Sequence, residues 1–102
     1  MNIAKLMKQA QKMQADMAKV QAEVALIEKT AQAGGGAVGV VALGNGTLKS
    51  VTIAKDLLAA GDAEMLQDMI LVAANNALED VKKEAEKRMS GVTAGLQMPG
   101  MF

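Results

Sequence analysis

The first third of the chain repeats its apolar positions every seven residues. Ile3, Ala10, Met17 and Val24 form one series, and Leu6, Met13, Val20 and Ile27 form a second, offset by three and then four. Four heptads of this kind predict a helix over residues 2–28 that packs along its length against another helix, in the manner of a coiled coil. The pattern breaks at the run Gly34-Gly35-Gly36. Residues 30–33 read equally as a short first strand or as the frayed end of that helix. Two runs rich in Val, Ile and Thr follow, "AVGVVAL" and "TLKSVTI", joined by "GNG". The Asn45-Gly46 pair predicts a two-residue type I′ hairpin, a turn that needs positive φ at both central residues. Leu48 falls out of alternation with Val51 and Ile53, so an irregularity is expected near Lys49-Ser50.

A second helix is expected over 63–89, opened by Asp62 as N-cap with Glu64 in its first turn. Leu66, Ile70, Ala73, Ala77, Val81 and Ala85 mark its apolar side. The alanines at its centre allow close approach of another backbone. Ser90-Gly91 is read as its end, with residues 90–102 as a tail and "AKDLLAAGD" as a plain connection. No internal repeat is visible. The fold class is therefore α+β in a single domain, residues 1–102. A long N-terminal helix is followed by a small antiparallel β-sheet, about 30–54, with the third strand left open. A long C-terminal helix completes it. A hairpin alone is only marginally stable in water, so it must lie on a helix or join further strands.

Composition sharpens this picture. The chain has 102 residues and only one aromatic, Phe102, alongside nine methionines. A monomer of this size buries about 65% of its unfolded surface. Lacking aromatic bulk, it has reason to complete its core with a second copy. There is no Cys and no His, which removes disulfides, thiol nucleophiles, the usual general base and the commonest metal ligand. The few hydroxyls sit in no nucleophile pattern. The expectation is a protein without enzymatic activity, with no cofactor, metal or small-molecule substrate. Nothing resembles a signal peptide, and no apolar run approaches about 20 residues, so a cytoplasmic location is expected.

The net charge is zero, yet "KLMKQAQKMQADMAKVQ" carries four lysines and one acid. With Ile3 at position a, Lys5, Lys12 and Lys19 fall at c and Lys8 at f, away from the apolar seam. They form one basic stripe about 20 Å long. Lysines at a helix N-terminus oppose the macrodipole, which points to a use outside the helix. The alternative is a solvated face that keeps the chain soluble. In the second helix, Glu79–Lys83 and Glu84–Arg88 are spaced for surface ion pairs, leaving Lys82 and Lys87 nearer to spare. Binding of DNA needs only a locally positive face directed at phosphates. With no aromatics for stacking and one Arg, single-strand recognition and guanine readout are disfavoured, and little sequence specificity is expected.

The stretches "LMKQAQKMQADM", "VTIAKDLL", "EMLQDMILVAANNALEDV" and "GLQMPGMF", in this order over nearly the whole chain, resemble the YbaB/EbfC nucleoid-associated proteins. The resemblance implies a bacterial cytoplasmic protein of the nucleoid. It would be an intertwined homodimer with a joined sheet and projecting helices. It would bind double-stranded DNA and alter its conformation, with roles in nucleoid organisation and gene regulation. Carried to this chain, it implies DNA contact by Lys5, Lys8, Lys12 and Lys19 first, then Lys82, Lys83, Lys87 and Arg88. Two other readings stand beside it. One is a chaperone-like or protein-interaction module of helix–hairpin–helix layout, gripping clients with Met7 and the Met-bearing tail. The other is a membrane-surface helix at the N-terminus, which lacks Trp and Phe anchors and is not favoured.

Overall fold

A computed structural model describes residues 2–95. The element order is α1 (Ile3–Ala25), β1 (Glu28–Ala33), a 3₁₀ turn at Gly34–Gly36, β2 (Val38–Leu43), β3 (Leu48–Ile53), α2 (Lys55–Ala59) and α3 (Ala63–Gly95). The expected α+β order of long helix, small antiparallel sheet and long helix is what the chain adopts. The sheet has three strands in the order β1-β2-β3, all antiparallel.

α1 ends at Ala25, one turn earlier than the heptads predict, and Ile27 lies outside it. The ambiguous residues 30–33 are strand, and β1 starts at Glu28, pairing with Leu43. The physical reason is the sheet. A bare hairpin is marginal, and a third strand gains a full ladder of hydrogen bonds at the cost of one helical turn. The glycines at 34–36 make the next reversal, all at positive φ (63°, 67° and 99°), where a side chain would be strained.

The type I′ expectation at Asn45-Gly46 is not met, because only Gly46 has positive φ (86°). The Gly46 amide donates to the Leu43 carbonyl (3.0 Å), and Leu43 donates to Thr47 (2.8 Å). Asn45 holds its ordinary backbone because its side-chain oxygen accepts from the Thr47 amide (3.0 Å) and hydroxyl (2.6 Å), an Asx-type closure. The loop is therefore longer, with the left-handed glycine at its end. The irregularity expected near Lys49 is a register shift. Val41 faces Ser50 and Ala42 faces Leu48, leaving Lys49 as the extra residue.

The segment expected as a plain connection contains α2. Its five residues are too few for a periodic signal. α3 begins where Asp62 caps it, the Met65 amide donating to Oδ1 at 3.0 Å. It runs through Ser90-Gly91 to Gly95, since one glycine costs a helix only about 1 kcal/mol and does not end it. The remainder of the expected tail, residues 96–102, lies outside the described residues.

The core is Ile27, Val38, Val40, Ala42, Ala73, Ala77 and Val81. Ala73, Ala77 and Val81 belong to the predicted apolar side of α3, and Leu66, Ile70 and Ala85 pack around them. The small alanines let α3 lie close over β1 and β2. It barely reaches β3. Leu48 and Val51 share the helix-bearing face, opposite buried Ala42 and Val40, yet remain 43% and 44% exposed. The helices extend far beyond this small core. The long axis measures 71 Å and the radius of gyration is 20.2 Å, against about 13 Å for a compact chain of this length.

Candidate nucleic-acid interface

Asn2 opens α1. Its side-chain oxygen accepts from the Lys5 amide at 3.2 Å, satisfying one of the free donors of the first turn. That turn holds no acid. The helix therefore presents its positive dipole end together with Lys5 and Lys8, uncompensated. At 1.5 Å per residue α1 is about 35 Å long. Only its C-terminal part is anchored: Val20 is buried, and Val24 packs against the core. The seam towards the N-terminus is uncovered in this chain, with Ile3 68% and Leu6 48% exposed. The predicted packing along the whole seam is thus met only from Val20 onwards.

Lys5, Lys8, Lys12 and Lys19 are all exposed. None takes part in an ion pair; among the described residues only Glu28–Lys49 and Glu84–Arg88 form them. Asp16 and Glu23 stand four residues after Lys12 and Lys19 and leave them unpaired. Seven-residue spacing rotates successive side chains by only about 20°, so Lys5, Lys12 and Lys19 stay on one face, with Lys8 beside them.

On α3 the picture is mixed. Lys82, Lys83 and Lys87 are exposed and unpaired, so the expected Glu79–Lys83 pair does not form. Arg88 is half-buried and held by Glu84, with Nη2 at 3.3 Å and Nε at 3.4 Å from Oε1. The two helices pack against each other. Three further lysines were outside the predicted stripe. Lys29 is half-buried on the helix-bearing side of β1, Lys49 is bound to Glu28 at 2.8 Å, and Lys55 is exposed in the first turn of α2. A five-residue helix and an irregular strand give no periodicity from which such placements are read.

Among the described residues no group of three or more His, Cys, Asp or Glu side chains could hold a metal ion, and no helix is long and apolar enough to cross a membrane. What the arrangement offers is a row of exposed lysine side chains, without ion-pair partners, on a projecting rod.

The model of the YbaB/EbfC DNA-binding family matches residues 1–96. The chain belongs to that family. A nucleoid-associated protein of Clostridium novyi is 52% identical over 102 residues, covering 100% of this chain and 90% of the relative. One from Pelotomaculum thermopropionicum is 45% identical over 101 residues, covering 99% and 96%. Among solved structures, that of an uncharacterized protein from Helicobacter pylori superposes with a TM-score of 0.77 at 22% identity, covering 91% of this chain and 98% of that one. This likeness shows the fold.

Proposed function

We propose that this protein is a nucleoid-associated protein of the bacterial cytoplasm. It binds double-stranded DNA as a homodimer, with little sequence specificity, and alters its conformation, contributing to nucleoid organisation and gene regulation. The observation that carries the reading is the unpaired lysine stripe on the projecting part of α1, Lys5, Lys8, Lys12 and Lys19. Lys82, Lys83 and Lys87 add to it. Arg88, tied to Glu84, is the weakest member of the set. Its family and the names of its relatives support DNA and the nucleoid. The homodimer is supported by the uncovered seam of α1 and by Leu48 and Val51, apolar surface on the helix-bearing side of β3 that α3 leaves open. The family and the absence of any candidate catalytic cluster in the sequence favour a role without enzymatic activity.

If the four α1 lysines of two copies each contact a phosphate, log K falls with log salt at a slope of about −7. Titrating a fluorescent duplex at roughly 50 and 200 mM salt should therefore show affinity lost by about 10⁴-fold. Absence of binding at the lower salt would refute the proposal.

A second reading rests on the exposure of Ile3, Leu6 and Met7 at the start of α1: a chaperone-like grip on unfolded clients. It predicts suppression of a denatured client's aggregation at high salt without DNA. No suppression removes it.

A further inference from the structure

α1 joins the sheet through two residues, Leu26 and Ile27. The Ile27 amide donates to the Val24 carbonyl at 3.0 Å, and the Leu26 amide donates to Glu23 at 3.1 Å, so the joint is a tight turn. The hairpin loop closes onto it from the other side. Gly44, the first loop residue, donates its amide to the Ile27 carbonyl at 2.9 Å. A Cβ built on Gly44 would lie 1.6 Å from the Val24 carbonyl oxygen, 2.6 Å from its carbon and 3.3 Å from the Ala25 Cα. The β2–β3 loop and the last turn of α1 thus touch backbone to backbone, with no side chain between them. Gly44 is not among the residues at positive φ. Space, and not backbone conformation, requires glycine there.

We infer that Gly44 is a positioning residue for DNA binding: its contact with the Val24–Ala25 turn sets the direction in which α1 carries the lysine stripe away from the sheet. The inference rests on the DNA-binding reading and specifies how the stripe is aimed. The lever arm makes the contact consequential. Lys5 stands 20 residues before Ala25, about 30 Å along the helix. Relieving a 1.6 Å approach needs a shift of roughly 1.6 Å at the base. Taken over one helical turn, that tilts α1 by about 15° and moves the Lys5 end by on the order of 8 Å. Phosphates follow one another every 3.4 Å along the axis of one strand, so the tilt takes the outer lysines out of step with their phosphates while those near the base stay in reach. The packing of Val20 and Val24 holds the same part of α1, but side chains repack, whereas a backbone contact does not yield.

The test uses Gly44→Ala and Ala25→Gly, the second at an exposed position that loosens the same joint without a clash. The chain has no native cysteine, so spin labels on Ala15→Cys and Thr52→Cys, diluted with unlabelled protein, report the angle between α1 and the sheet. Two readouts are taken for each variant: the distance between these labels, and the salt slope of duplex binding, which counts phosphates contacted and does not depend on the folded fraction. Gly44→Ala is expected to displace the mean label distance by several ångströms and to make the slope shallower by about 2, corresponding to two phosphates lost at about 0.9 each. Ala25→Gly is expected to broaden the distance distribution and lower the slope in the same sense. A folded Gly44→Ala protein with the parent's distance and slope overturns the inference. If that variant gives no cooperative melt, an unchanged distance distribution and slope in Ala25→Gly overturns it instead. Failure of the parent protein to bind duplex DNA at about 50 mM salt refutes the DNA reading, and the label distances still decide whether Gly44 aims α1.

Discussion

Replacing Lys5, Lys8 and Lys12 together by glutamate should separate stability from binding, because the two move in opposite directions. In the fold these side chains are exposed and make no ion pair, so nothing inside the protein is lost. Lys5 is the third residue of α1 after the Asn2 cap, and its amide already donates to the Asn2 side chain. A glutamate there can return a hydrogen bond to the cap residue's amide and complete a capping box. It also places an acid in a first turn that has none, worth about 0.3–1 kcal/mol against the helix dipole. The triple variant should therefore melt no lower than the parent, and by a few degrees higher if α1 frays before the rest. For DNA the α1 set falls from four lysines to Lys19 alone, or from about eight phosphate contacts to about two in a dimer. The salt slope from this set drops from about −7 to about −2. A fourfold rise in salt then costs the variant only about tenfold in affinity, compared with about 10⁴-fold for the parent. The three negative charges added to each α1 further repel the duplex, so binding at roughly 50 mM salt should be lost. Fluorescence anisotropy on a labelled duplex and thermal melting by circular dichroism measure the two quantities on the same sample. Parent-like binding by the triple variant would refute the lysine-stripe assignment, and a large fall in melting temperature would refute the claim that these residues are free of structural duty.

Other expectations follow from the packing. Asp62→Ala removes the acceptor for the Met65 amide and should destabilise the fold by about 1 kcal/mol, read from chemical denaturation. Ala77→Leu pushes three extra carbons into a fully buried site between α3 and the sheet, and should cost about 1–3 kcal/mol or more; an unchanged denaturation midpoint would contradict the close helix–sheet approach. Lys49→Met breaks the pair with Glu28, but both side chains are about half exposed, so the loss, read from chemical denaturation, should stay below about 1 kcal/mol and shrink further as salt screens the pair.

Much of this was legible in the residues themselves. The three-and-four spacing of Leu66, Ile70, Ala73, Ala77, Val81 and Ala85 named the buried side of α3, because helix periodicity survives any tertiary context that gives the helix one face to bury. Asp62 was readable as a cap, and the broken alternation at Leu48 announced the bulge at Lys49, because both are local rules. The lysine stripe was equally plain, since exposed charges follow from spacing alone.

What only the tertiary structure decided are the places where two segments compete or touch. "EKTAQA" alternates weakly and carries no β-rich run, so its choice between helix and strand depended on an open edge of the hairpin being available. The heptads of α1 marked an apolar seam but not how much of it this chain covers, which depends on where α3 lies. Asn45-Gly46 promised a hairpin, while the turn it makes was settled by the Thr47 contacts. Gly44 is the clearest case. In sequence it is one more loop glycine, and nothing local distinguishes it. Its necessity comes from the Val24 carbonyl, 20 residues away in the chain and in contact in space. Periodicity records which face of an element is buried, whereas the approach of two backbones depends on the whole arrangement of elements around them.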